Sequence, residues 1–103
     1  MIPGRTASLP EYAPGGPRWT RPLGSTGLST TAIGLGGAPL SSMPRVLGYE
    51  VPRDRAVDLV ETVLNSPIEL IDTSNGYGDG ESETRIGDAL RRSAHAAETL
   101  IVT

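Results

Sequence analysis

The chain has 103 residues, with 13 Gly, 9 Pro, no Cys and a formal net charge of -3; every basic residue is Arg, and the one His is His95. The lack of Cys excludes a disulfide framework, a thiol nucleophile and a Cys-based zinc site, and an acidic balance without a basic cluster argues against nucleic acid as a partner. No apolar run approaches the roughly 18 residues a membrane helix requires, and the opening residues lack the apolar core of a secretory signal, so no membrane association is expected and the expected setting is cytoplasmic.

Residues 1–18 contain four Pro and three Gly without apolar periodicity, which predicts a flexible leader ahead of one small domain over residues 19–103. Residues 19–29 read as a hairpin, with Gly24, Ser25, Thr26 and Gly27 supplying the turn. Residues 30–37 run apolar and end in glycines, the pattern of a buried parallel strand. A loop is expected from Ala38 to about residue 51. Residues 53–65 are the clearest helix: Ala56, Val57, Val60, Val63 and Leu64 share one face, and Asp54 suits the N-cap or the first turn. Asn65-Ser66-Pro67 ends it, because the residue before a proline is pushed out of the helical region. Residues 68–72 read as a second strand, and 73–81 as a loop with three Gly. Residues 82–94 read as a second helix with Ser82 as its N-cap, and residues 99–103 as a third strand. The β-α-β-α-β order calls for a parallel sheet with right-handed crossovers. Such a sheet belongs either to an open doubly wound fold or to part of a barrel.

Ligands in α/β folds collect at the carboxyl ends of the strands, where Asp72 falls. Tyr77 follows five residues later in the Gly-rich loop. A phenol that donates a proton and a carboxylate that holds a tuning cation are components for proton transfer. Plainer roles compete: Asp72 as a turn cap, Tyr77 as a loop aromatic packed on the second helix, Glu83 as a first-turn helix residue. A calcium loop from Asp72 to Glu83 fails, because Tyr77 takes the position that requires Gly, and no metal site is expected. The dinucleotide pattern also fails after the first strand. Pro39 stands at its third glycine, so an unrelated doubly wound nucleotide binder is disfavoured. Gly36, Gly37 and Ala38 instead leave a strand end that a flat ring can approach. His95 reads as a surface residue with nothing acidic spaced to meet it.

The run from Leu70 to Leu90 strongly resembles the signature of the aldo-keto reductases. It has an Asp72-Thr73 strand end, then Tyr77-Gly78, then Ser82-Glu83 opening a helix with Ile86-Gly87. Leu23–Ser29 and Ile33–Leu40 resemble the family's N-terminal hairpin and first barrel strand. The resemblance covers about residues 20–103 and is nearest to the bacterial sugar and pyridoxal dehydrogenase branch.

The resemblance implies an α/β fold that is the N-terminal part of a (β/α)8 TIM barrel. It also implies NAD(P)-dependent hydride transfer between a nicotinamide and a small carbonyl or alcohol substrate. By position, Tyr77 would be the general acid/base and Asp72 would hold the lysine that tunes it, while Gly36, Gly37 and Ala38 would lie near the nicotinamide and Asp72 would also belong to the cofactor site. The family's lysine would follow Thr103, and its active-site histidine comes later still, so a truncated barrel without turnover of its own is expected. Three strands would leave two open sheet edges, and self-association through them is expected. The alternative is a non-catalytic interaction fragment of the same fold.

Overall fold

A computed structural model describes residues 11–103. The described residues divide into two compact units, which part between Ala32 and Ile33. Of the expected leader, residues 1–10 lie outside the described residues. Residues 11–18 form turns, in which Arg18 pairs with Glu11 at 2.5 Å and donates to the Tyr12 hydroxyl at 2.8 Å.

The first unit holds the expected hairpin. Strand β1 (Thr20–Pro22) pairs antiparallel with β2 (Ser29–Thr31), placing Thr20 opposite Thr31 and Pro22 opposite Ser29. Gly24 and Gly27 both adopt positive φ in the turn, and the Thr26 hydroxyl donates to the Leu23 carbonyl at 2.6 Å. These are conformations and bonds that Gly and Thr supply at low cost.

The second unit is a parallel sheet in the order β3-β4-β5, with β3 at Leu35–Gly36, β4 at Leu70–Asp72 and β5 at Leu100–Val102. Leu35 pairs with Ile71 and Ile71 with Ile101, while Gly36 pairs with Asp72 and Asp72 with Val102. Successive side chains alternate between faces. The first row packs into the core, where Ile71 is fully buried. The Gly36-Asp72-Val102 row belongs to the opposite face, where Asp72 and Val102 are exposed.

Two helices cover the core face. A short α1 (Pro44–Leu47) precedes α2 (Arg53–Leu64), and α3 (Glu81–Arg92) follows β4. Helix α2 buries Ala56, Val57, Val60, Val63 and Leu64, the stripe its 3.6-residue spacing predicts. Ile86 and Ala89 of α3 and Leu40 complete the core. Burying an aliphatic side chain of this kind contributes roughly 1.5–3 kcal/mol. Glu81 and Glu83 begin α3, and Arg91 and Arg92 end it, as the helix dipole favours.

Several element ends shift by one or two residues, and three features differ from the sequence reading in kind. The strand expected over residues 30–37 is divided: Thr30 and Thr31 pair in the hairpin, and only Leu35–Gly36 joins the parallel sheet. The β-branched pair finds a local antiparallel partner before any long-range pairing is needed. The expected loop after Ala38 holds a 3-10 helix at Ala38–Ser41 as well as α1. The cap of α3 is Gly80, not Ser82, because Asp79 and Gly80 bring the chain in with positive φ and Ser82 is turned into the core.

Candidate active site

The carboxyl edge of the sheet is built around one buried hydroxyl. The Ser82 hydroxyl donates to the Gly37 carbonyl at 2.9 Å, and the Thr73 hydroxyl lies 2.7 Å from Ser82 Oγ. With its one proton given to Gly37, Ser82 accepts from Thr73. The backbone N–H of Gly37 donates to the Asp72 carbonyl at 2.7 Å, and that of Thr73 to the Val102 carbonyl at 2.8 Å. The ends of all three strands and the first turn of α3 are therefore stitched together beside Asp72.

The glycines at this edge divide into two kinds. A Cβ added to Gly37 would lie 2.8 Å from Thr73 Oγ1, so the chain itself occupies that space. A Cβ added to Gly36 meets nothing within 4 Å. Gly36 is in register with Asp72, and its missing side chain leaves open room on that face. Ala38 begins the 3-10 helix next to them.

Asp72 is the last residue of β4 and is exposed, and Tyr77 is half-buried in the turn that follows. The Tyr77 N–H donates to the Ser74 carbonyl at 3.2 Å, and the Tyr77 carbonyl accepts from the Ser82 N–H at 3.3 Å. Gly78 adopts φ +61, and a Cβ there would come within 2.6 Å of Ser41 Cβ. The Tyr77-Gly78 corner is thus seated directly on the 3-10 helix.

Charge surrounds the start of α3. Glu81 accepts from Arg85 Nε at 3.0 Å and from Arg53 at 2.7 Å. The Arg85 hydrogen bond, with help from Arg53, holds its carboxyl below the ordinary value. Burial pushes the Asp88 carboxyl up, but its pairs with Arg53 and Arg91 outweigh that and leave it lowered. Among the described residues no group of three or more potential ligands is arranged to hold a metal ion. No described helix is long and apolar enough to cross a membrane. His95 is exposed as expected, but Glu98 Oε2 lies 3.6 Å from its Nδ1. The acidic neighbour was missed because the short 3-10 helix Ala96–Glu98, which brings it round, has no sequence signal of its own.

Residues 32–103 match the sequence model of the aldo/keto reductase family. The chain belongs to the aldo/keto reductase family. It is 42% identical over 77 residues to pyridoxal 4-dehydrogenase of Microbacterium luteolum, covering 75% of this chain and 21% of that protein. It is 41% identical over 71 residues to L-galactose dehydrogenase of Arabidopsis thaliana, covering 69% of this chain and 21% of that protein. It is also 34% identical over 71 residues to the NADH-specific methylglyoxal reductase of Escherichia coli K12, covering 69% and 22%. The chain spans about a fifth of the length of these curated relatives. The three-stranded sheet with its helices is mixed α/β and consistent with part of this reductase family's barrel; among the described residues it is not closed.

Sequence reasoning missed the supporting roles of Thr73, Ser82 and Arg85. Ser82 carried a signal of the wrong kind, since a hydroxyl before a helical run reads as a cap. Arg85 carried one that was overlooked: it precedes Ile86 on the apolar stripe of α3, where a charge has to find buried partners.

Proposed function

We propose that these residues form part of an oxidoreductase site in which Tyr77 exchanges a proton with a small carbonyl or alcohol substrate. The observation that carries this reading is the family match, with Asp72 at a strand's carboxyl end and Tyr77 on a corner pinned by Gly78 and Ser41. The phenol would hydrogen-bond the carbonyl oxygen and release its proton as that oxygen gains charge; in the reverse direction it would accept the alcohol proton. Asp72 would hold a cation that favours the ionised phenol. The 103 residues include no lysine, so a lysine in that role would lie outside them. Gly36, Gly37 and Ala38 suit the nicotinamide end of NAD(P)H, because the open space over Gly36 accepts a flat ring. The bound cofactor would supply the hydride. Nucleic acid and membrane have no part in this reading, and its setting is the cytoplasm.

The test is to graft residues 32–103 in place of the aligned stretch of the Microbacterium luteolum relative and follow that enzyme's reaction. Tyr77→Phe in the graft is expected to lower kcat by roughly 10²–10⁴-fold, the usual range for a lost general acid. An undiminished rate rejects the reading. The 103-residue chain alone is expected to give no NAD(P)H oxidation above its Tyr77→Phe control. A second reading is a non-catalytic association piece of the same fold. It is favoured by the exposed Val102 on the open sheet face, and capture of a separate chain that completes the sheet would support it.

A further inference from the structure

We propose that Arg85 is a positioning residue for Tyr77, acting through the 3-10 helix at Ala38–Ser41. The inference rests on the reading of Tyr77 as the proton donor. Arg85 is 8% exposed, and its Nη1 donates to the Leu40 carbonyl at 2.7 Å and the Val51 carbonyl at 2.8 Å. Its Nε donates to Glu81 at 3.0 Å. The guanidinium thus holds both ends of the loop running from residue 40 to residue 51 against the first turn of α3. A buried cation is costly unless its donors are met, and this position on the apolar stripe would serve the core equally well as Leu or Met. What an apolar residue lacks is the planar fork that fixes carbonyls from separate segments.

The held loop bears directly on the site. Ser41 follows Leu40 and is itself buried. A Cβ on Gly78 would lie 2.6 Å from Ser41 Cβ and 2.8 Å from the Ser41 carbonyl oxygen. The short Ser41 side chain and the Ser41 carbonyl both press on the Gly78 backbone, with no long flexible side chain between, so a displaced Leu40-Ser41 displaces Gly78 and, with it, Tyr77. The route runs from the Arg85 guanidinium to the Leu40 carbonyl, then Ser41, Gly78 and Tyr77.

The experiment compares Arg85→Met, which keeps the apolar stem, and Arg85→Lys, which keeps the charge but not the fork, in the 103-residue chain. Amide exchange and the Tyr77 ring resonances are the readouts. In Arg85→Met the Leu40 and Tyr77 amides should exchange about tenfold faster while the α2 amides hold, and the Tyr77 ring resonances should shift. Arg85→Lys should lie between Arg85→Met and wild type. Unchanged Tyr77 signals while Leu40 and Ser41 change overturn the proposal. Loss of the helical signal in both variants also overturns it, because Arg85 would then be holding the whole fold. So does fast exchange at Leu40 and Tyr77 in the wild-type chain, since nothing would be held. The readout is position, so an undiminished rate for Tyr77→Phe in the graft would reject proton transfer and leave these spectra unaffected.

Discussion

The hydroxyls of Ser82 and Thr73 lie 2.7 Å apart with both side chains buried, joining the first turn of α3 to the residue after Asp72. Ser82→Ala leaves Thr73 and the Gly37 carbonyl without their partner. A buried polar group left unpaired costs about 1–3 kcal/mol, and that loss is expected in urea or thermal unfolding of the variant. Ser82→Ala stability equal to wild type would show that the network holds nothing.

Gly36, Gly37 and Gly78 should answer differently to the same methyl. Gly36→Ala has open space and negligible strain, so it should unfold within ~0.5 kcal/mol of wild type. In the grafted enzyme it should raise the KM for the nicotinamide cofactor, since the methyl takes the room a ring would use. Gly37→Ala meets Thr73, and Gly78→Ala meets Ser41 at positive φ. Each should destabilise by about 1–3 kcal/mol. Calorimetry of the three variants checks the order.

Acid should weaken the α2–α3 contact. The folded-state carboxyls of Glu81 and Asp88 titrate below their ordinary values of 4.5 and 3.8. A carboxylate lowered in the folded state adds stability that is complete above its unfolded value and lost as pH falls through the folded one. Stability is therefore expected to be level from neutrality to about pH 5 and to decline below it. Glu81→Gln with Asp88→Asn should flatten that decline. Urea midpoints from pH 2 to 7 measure it, and an unaltered acid limb in the double variant contradicts the assignment.

The sheet face shared by Gly36, Asp72 and Val102 should make the isolated chain self-associate, because Val102 is 39% exposed and strands β3 and β5 are edges of the described sheet. Sedimentation is expected to give masses above 10.8 kDa that rise with concentration, and Val102→Glu should lower them. A 10.8 kDa monomer at every concentration would contradict this.

The local patterns of the sequence determined α2 with its buried stripe, the β-α-β-α-β order, the hairpin turn at Gly24 and Gly27, and the signature from Asp72 to Glu83. Helical period and glycine conformation act over a few residues, so these are legible without the fold. The tertiary structure alone decided that Ser82 turns inward to Thr73 and Gly37, that Gly37 is spaced by Thr73 while Gly36 stays open, and that Arg85 reaches Leu40 and Val51. Those contacts join residues 34 or more positions apart, apart from Ser82 with Thr73, which are nine apart across a loop. A hydroxyl or a guanidinium satisfies its donors with whatever carbonyl the packed chain brings near, and spacing along the sequence does not encode which one that is.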